Sequence, residues 1–82
     1  MDISVANDNS FWVAAGILGV GRIDQNKKIR WYGEKDGLLG EANTVISTSN
    51  GTVYAGSNKG LYMLNGNNFD EVKYTDLKVN NI

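Results

Sequence analysis

Ser49-Asn50-Gly51-Thr52-Val53-Tyr54-Ala55-Gly56-Ser57-Asn58-Lys59-Gly60-Leu61-Tyr62-Met63-Leu64 reads as turn, strand, turn, strand. Asn50-Gly51 is a pair that tolerates positive φ, as a two-residue hairpin requires. Val53-Tyr54-Ala55 and Leu61-Tyr62-Met63-Leu64 are short runs of β-branched, aromatic and aliphatic side chains, suited to a pleated and covered surface. Working outward, Val45-Ile46-Ser47-Thr48 supplies a strand before this stretch, and Asn65-Gly66 turns the chain into another strand around Phe69. The stretch therefore predicts a four-stranded antiparallel meander, with strands near residues 44 to 49, 52 to 57, 60 to 65 and 68 to 74.

The same order of turns and strands occurs once more, about 40 residues upstream, a spacing typical of propeller blades. Ile3-Ser4-Val5-Ala6 aligns with Val45-Ile46-Ser47-Thr48, and Asp8-Asn9-Ser10-Phe11-Trp12-Val13-Ala14 with Asn50-Gly51-Thr52-Val53-Tyr54-Ala55-Gly56. After one extra residue in the first copy, Gly19-Val20-Gly21-Arg22-Ile23-Asp24 aligns with Gly60-Leu61-Tyr62-Met63-Leu64-Asn65, and Ile29 with Phe69. Late in each copy Asp36 faces Asp76, and Leu38 faces Leu77. Strands are expected in the first copy near residues 2 to 6, 10 to 15, 18 to 24 and 27 to 33, with almost no helix anywhere. Glu34 to Ala42 and Thr75 to Asn81 are the longer connections, so the chain divides into residues 1–42 and 43–82. The expected fold is all-β: two four-stranded antiparallel β-propeller blades that complete a ring by oligomerisation.

Need for a ring follows from the apolar pattern. Phe11-Trp12-Val13-Ala14-Ala15 is apolar without alternation, and Leu61-Tyr62-Met63-Leu64 is similar, so both faces of these strands should be covered. Trp12 and Tyr54 fall at matching positions and are expected in the core. Two sheets alone leave one face of each bare. Three or four large side chains on such a face, at roughly 1.5 to 3 kcal/mol each, forfeit about 5 to 12 kcal/mol. That rivals the whole stability of an ordinary domain, about 5 to 15 kcal/mol. A chain of 82 residues has little surplus with which to absorb it. Closed propellers have about 4 to 8 blades, so a homo-oligomer is expected, a trimer favoured and a dimer or tetramer allowed.

Composition narrows the chemistry. The chain has no Cys and no His, which removes disulfides, thiolate or imidazole metal ligands, and nucleophilic triads that use them. Net charge is −1 with the charges scattered singly, which argues against nucleic acid as a partner. No apolar run approaches the roughly 20 residues of a membrane span, so membrane insertion is not expected. Asp8, Asp24, Asp36, Glu41, Asp70 and Asp76 all fall on expected turns or exposed edges, where carboxylates are solvated rather than paired for acid and base work. Gly16-Ile17-Leu18-Gly19-Val20-Gly21 lacks the Gly-Lys-Ser ending and following helix of a phosphate loop and reads as a hairpin turn. Asn65-Gly66-Asn67-Asn68-Phe69-Asp70 lacks the acidic cluster of a calcium loop. No cofactor, no metal site and no enzymatic activity are expected. Arg30, Trp31 and Tyr32 together suit stacking on a sugar or peptide, against the plainer reading that one ring packs between blades and the other covers an edge.

Residues 49–64 resemble the blade motif of bacterial two-component regulator propellers: Asn-Gly, an apolar-aromatic-apolar run, Gly-Ser, then Gly-Leu-Tyr. Lys35-Asp36-Gly37-Leu38-Leu39 resembles the loop between their blades, which commonly carries Asp-Gly-Leu. The first copy departs from the motif at Asn9, Ala14 and Gly21. The resemblance implies a non-catalytic sensor domain that binds a small molecule, glycan or protein, placed in the periplasm or outside the cell. Ligand-binding residues are then expected at the mouth shared by the longer connections and the turns between second and third strands: Lys35, Asp36, Glu41, Asn43, Asn58, Lys59 and Lys78. Two alternatives stand beside it: a lectin-like carbohydrate-binding propeller, and an engineered or structural self-assembling propeller fragment.

Overall fold

The computed structural model describes residues 2–73. Expectations for Asp76, Leu77, Lys78 and the second long connection lie outside the described residues. Every expected strand forms; most ends are trimmed by one to three residues, β7 keeps its expected bounds, and β5 starts two residues early. The strands are β1 (Asp2–Val5), β2 (Phe11–Ala14), β3 (Val20–Ile23), β4 (Ile29–Tyr32), β5 (Ala42–Ser47), β6 (Val53–Ser57), β7 (Gly60–Asn65) and β8 (Asn68–Glu71). They make two four-stranded antiparallel sheets, β1-β2-β3-β4 and β5-β6-β7-β8, each a meander. The first hairpin of each sheet turns by the same device. Asn9 takes φ 68 where the second copy has Gly51 at φ 90. Asp8 Oδ1 accepts the Ser10 amide at 3.0 Å, and Asn50 Oδ1 accepts the Thr52 amide at 3.2 Å. Backbone bonds of Ala6 with Asn9 and Ser10, and of Thr48 with Gly51 and Thr52, close three-residue turns in place of the expected two-residue ones, and a short side-chain acceptor two residues before the bonded amide reinforces each.

The connection between the sheets departs from the expected open loop. Glu34–Asp36 form one turn of 3-10 helix, and Asp36 is buried rather than solvated. The reason is local: the turn leaves the Gly33 amide without a helical partner, and Asp36 Oδ2 accepts it at 3.0 Å, while Arg30 lies 3.5 Å from the other carboxylate oxygen. Gly37 then takes φ 92, and a Cβ there would strike the Phe69 carbonyl. Glycine lets the connection lie flat on β8 and drops Leu38, 1% exposed, into the core, while the next residue, Leu39, stays exposed.

Alternation along the strands gives each sheet two faces. One face of the first sheet, its front, carries Trp12, Ala14, Val20 and Tyr32, all buried. These pack against Val45, Val53, Ala55, Tyr62 and Phe69 of the second sheet in a single core. The ring centroids of Trp12 and Tyr32 are 5.7 Å apart, and Tyr32 meets Phe69 edge-on at 5.4 Å and 85°. The two contacting faces are not copies of each other. Val53 and Ala55 align with Phe11 and Val13, whereas Trp12 and Ala14 align with Tyr54 and Gly56. The front of the first sheet therefore lies on the back of the second.

Hydrogen bonds fix this stacking at the inner edge. Gly16 and Ala42 exchange two backbone hydrogen bonds of 3.0 Å each. Asp2 Oδ2 accepts the Thr44 hydroxyl at 2.7 Å and the Val45 amide at 3.2 Å, and Ser4 Oγ accepts the Ser47 amide at 3.0 Å.

Front-to-back stacking leaves the back of the first sheet and the front of the second uncovered. On that back Ile3 is 63% exposed, and Val5, Phe11 and Ile29 are also exposed. Trp31 lies on the same face over Gly21, where a Cβ would come within 2.9 Å of the indole. On the bare front of the second sheet Ile46 and Leu61 are exposed and Tyr54 is half-buried. Within one chain, then, β2 is covered on the Trp12 side only, and Tyr54 does not reach the core that its position in the repeat predicts.

Leu38→Ala should lower the unfolding free energy by about 2 to 5 kcal/mol, as other buried Leu truncations do. Leu39→Ala, one residue on, should stay within about 0.5 kcal/mol of the parent. Urea unfolding of both variants checks the pair; equal costs would mean the connection is not seated as described.

Candidate functional site

Of the residues expected at the mouth, the described ones lie toward the end of the sheets where the connection and the β6–β7 turn meet. The structure brings Glu41, Asn58 and Lys59 together there. The Glu41 amide donates to Asn58 Oδ1 at 2.8 Å, and the Asn58 amide donates to the Glu41 carbonyl at 3.3 Å. Ser57 Oγ joins them, donating to the Leu39 carbonyl at 2.6 Å and accepting the Lys59 amide at 3.0 Å. Asn58 therefore braces the connection, and Asp36 is occupied by Gly33 and Arg30. Asn43 sits exposed at the irregularity in β5 between Ala42 and Thr44, and Lys35 is exposed on the 3-10 turn.

A cleft of about 220 Å³ opens between the sheets at their opposite end. Trp12, Val53 and Leu64 supply apolar walls, while Asn7, Asp8, Arg22 and Ser47 supply polar ones. Its charged rim follows from the pairing of β2 with β3. Arg22 sits opposite Trp12 in register and so belongs to the front face, where a cation next to the core must find a partner. It donates to Asp8 Oδ2 at 2.7 Å. The other carboxylate oxygen of Asp8 accepts the Ser10 hydroxyl at 2.5 Å, and Gln25 donates to the Asp8 carbonyl at 2.8 Å. The Ser10 hydroxyl and amide, followed by Arg22, hold the Asp8 carboxyl at about 2, below the usual value of 3.8. Across the cleft, Asn7 Nδ2 donates to the Ser49 carbonyl, tying the two turns together. The Ser47 hydroxyl oxygen is buried and has no hydrogen-bond partner among the described residues.

Sequence reasoning placed Asp8 on a solvated turn and attached no role to Arg22 or Ser47. One signal was available. In the repeat Arg22 aligns with Met63, so a cation replaces an apolar residue at a position whose strand neighbour is Trp12. Of the plainer reading for the aromatic pair beside Arg30, the ring packed between sheets is found, whereas the other ring lies over Gly21 on the back of its own sheet. Tyr32 packs between the sheets with the Arg30 guanidinium 4.1 Å over its ring, while Trp31 lies on the other face of the same strand. Arg30 and Trp31 thus do not converge on a common sugar or peptide. Among the described residues no three acidic side chains converge as metal ligands, and no helix is long and apolar enough to cross a membrane.

Comparison with protein-family models, with curated proteins and with solved structures finds no match for the chain.

A carboxyl held below its ordinary value stabilises the fold while ionised. Its contribution is complete above the ordinary value of 3.8 and disappears as pH falls toward about 2. The urea midpoint should therefore decline between pH 4 and pH 2, and Asp8→Asn should flatten that decline. A variant whose midpoint falls as steeply as the parent's would remove the Asp8–Ser10–Arg22 group from the account.

Proposed function

We propose that the chain is two blades of a β-propeller and serves as a non-catalytic, sensor-type binding unit whose ligand enters the cleft between the blades. The cleft carries this reading: an open cavity with apolar walls, a charge-paired rim and one hydroxyl left without a partner. Convergent polar groups above apolar walls suit a small polar molecule with an apolar side, or the tip of a protein loop. Two four-stranded meanders stacked in the same sense support the blade assignment, as does the blade-like repeat of about 40 residues. Binding rather than catalysis is favoured because the carboxylate at the cleft is held ionised by hydrogen bonds and an ion pair. A group kept near pKa 2 is a poor proton carrier at neutral pH.

The Arg22–Asp8 pair would then act as a switchable rim. A ligand with an acceptor group competes for the guanidinium, and one with a donor engages the Ser47 oxygen. Isotope-labelled protein titrated with a panel of monosaccharides, amino acids and small organic acids should show amide shifts gathered on Asn7, Arg22, Ser47 and Gly51. For any compound that binds, Arg22→Gln should weaken affinity about tenfold, the worth of one charge-assisted hydrogen bond. Shifts confined to Lys35, Asn58 and Lys59, or no shifts with any member of the panel, would contradict the cleft.

A further inference from the structure

Each of the two bare sheet faces is related by the sequence repeat to a face that the chain already buries. The uncovered back of the first sheet is the sequence copy of the back that the second sheet already buries. Phe11 corresponds to the covered Val53, Val13 to Ala55, Ile23 to Leu64 and Ile29 to Phe69. The uncovered front of the second sheet is likewise the copy of the front that the first sheet buries, with Tyr54 in the place of Trp12 and Leu61 in the place of Val20. Each exposed face thus has, inside the same chain, a related face already seated on a partner of matching kind.

We propose that a second copy of this chain docks with the back of its first sheet on the front of the second sheet, repeating between chains the stacking seen within one. The inference rests on the blade assignment but not on the cleft. Charge supports the occupant. Within the chain Arg30, on the front of β4, donates to the Asn67 carbonyl of the facing hairpin at 3.4 Å. At the corresponding place between chains, Asp70 takes the position of Arg30, and Lys27 and Lys28 of the copy take the positions of Asn67 and Asn68. An acid meets two cations where like charges would have forbidden the contact. The contact joins two different faces, so repeated addition closes a ring only when the rotation per chain returns on itself, as two, three or four copies would allow for propellers of 4 to 8 blades.

Two variants, each blocked on one face, test it. Phe11→Lys places a charge among the exposed apolar residues of the bare back, and Leu61→Lys does the same to the bare front. Each keeps one intact face. Sedimentation equilibrium and circular dichroism should show the parent chain as a folded assembly and each variant alone as single chains. Mixing the variants should give a folded pair of one chain each, because the intact back of one meets the intact front of the other. This pair should form whether the separate variants are folded or unfolded beforehand. A parent chain that stays a folded single chain overturns the proposal. So does a mixture that never pairs, or a Leu61→Lys variant that dimerises alone through its intact backs. Ligand shifts at the cleft are read within one chain and can survive any of those outcomes, so the two proposals fail separately.

Discussion

Tyr32 is the hinge of the structure. Its ring touches Trp12 within its own sheet and Phe69 in the next, and the core assembles around that chain of three aromatics. Such contacts are possible only because residues alternate faces along a strand. Shift β4 by one residue and Trp31 would replace Tyr32 in the interface, exchanging every inward side chain for its outward neighbour. The register from Val20 opposite Tyr32 to Ile23 opposite Ile29 is thus what commits the first sheet to present one face and withhold the other. What it withholds is more apolar than what it presents. That asymmetry makes the stacking directional.

Polar groups make the same choice of partner at the inner edge. The β5 amides of Val45 and Ser47 have no strand beyond them among the described residues, and a bare row of edge amides invites unwanted pairing. Asp2 and Ser4, two residues apart on one face of β1, receive them. Backbone bonds cross the gap only at the Gly16–Ala42 bridge, and between β1 and β5 themselves side chains do the bridging, so the sheets remain two sheets of four strands. At the far end of the same gap the bridging becomes sparser, and there the cleft opens beside Ser47, Asn7 and the Arg22–Asp8 pair. The cleft is a consequence of two sheets joined more tightly at one end than at the other.

Strand order and the grouping of the strands into two sheets were legible because turn residues and β-forming runs recur in step, as Asp8-Asn9 and Asn50-Gly51 do. The apolar runs did not show which single face the neighbouring sheet would cover: Trp12 is buried and Phe11 beside it is exposed. Less legible was which face meets which, since alignment of Trp12 with Tyr54 shows that two residues are equivalent without showing that equivalents point at different neighbours. Only stacking geometry separates the buried Trp12 from the half-covered Tyr54. Asp36 was misjudged for a related reason: Lys35-Asp36-Gly37 looks like a solvated loop, yet a 3-10 turn draws its carboxylate inward to an amide three residues away. Arg22 escaped notice because a lone cation on a short strand gains meaning only when its cross-strand neighbour, Trp12, and its acceptor on a distant turn are known. Nor do the letters tell a polar side chain that is already partnered from one that is not: Asn58 braces the connection, while the Ser47 oxygen has no partner among the described residues.

Directional stacking is the claim on which the rest stands, and contacts of the Phe69 ring measure it most directly. Nuclear Overhauser effects from that ring should reach the ring protons of Tyr32 and none on Trp31, in a single chain or in any assembly of chains. Effects to Trp31 in place of Tyr32 would mean that the second sheet covers the opposite face of the first, and the front-to-back account would be wrong.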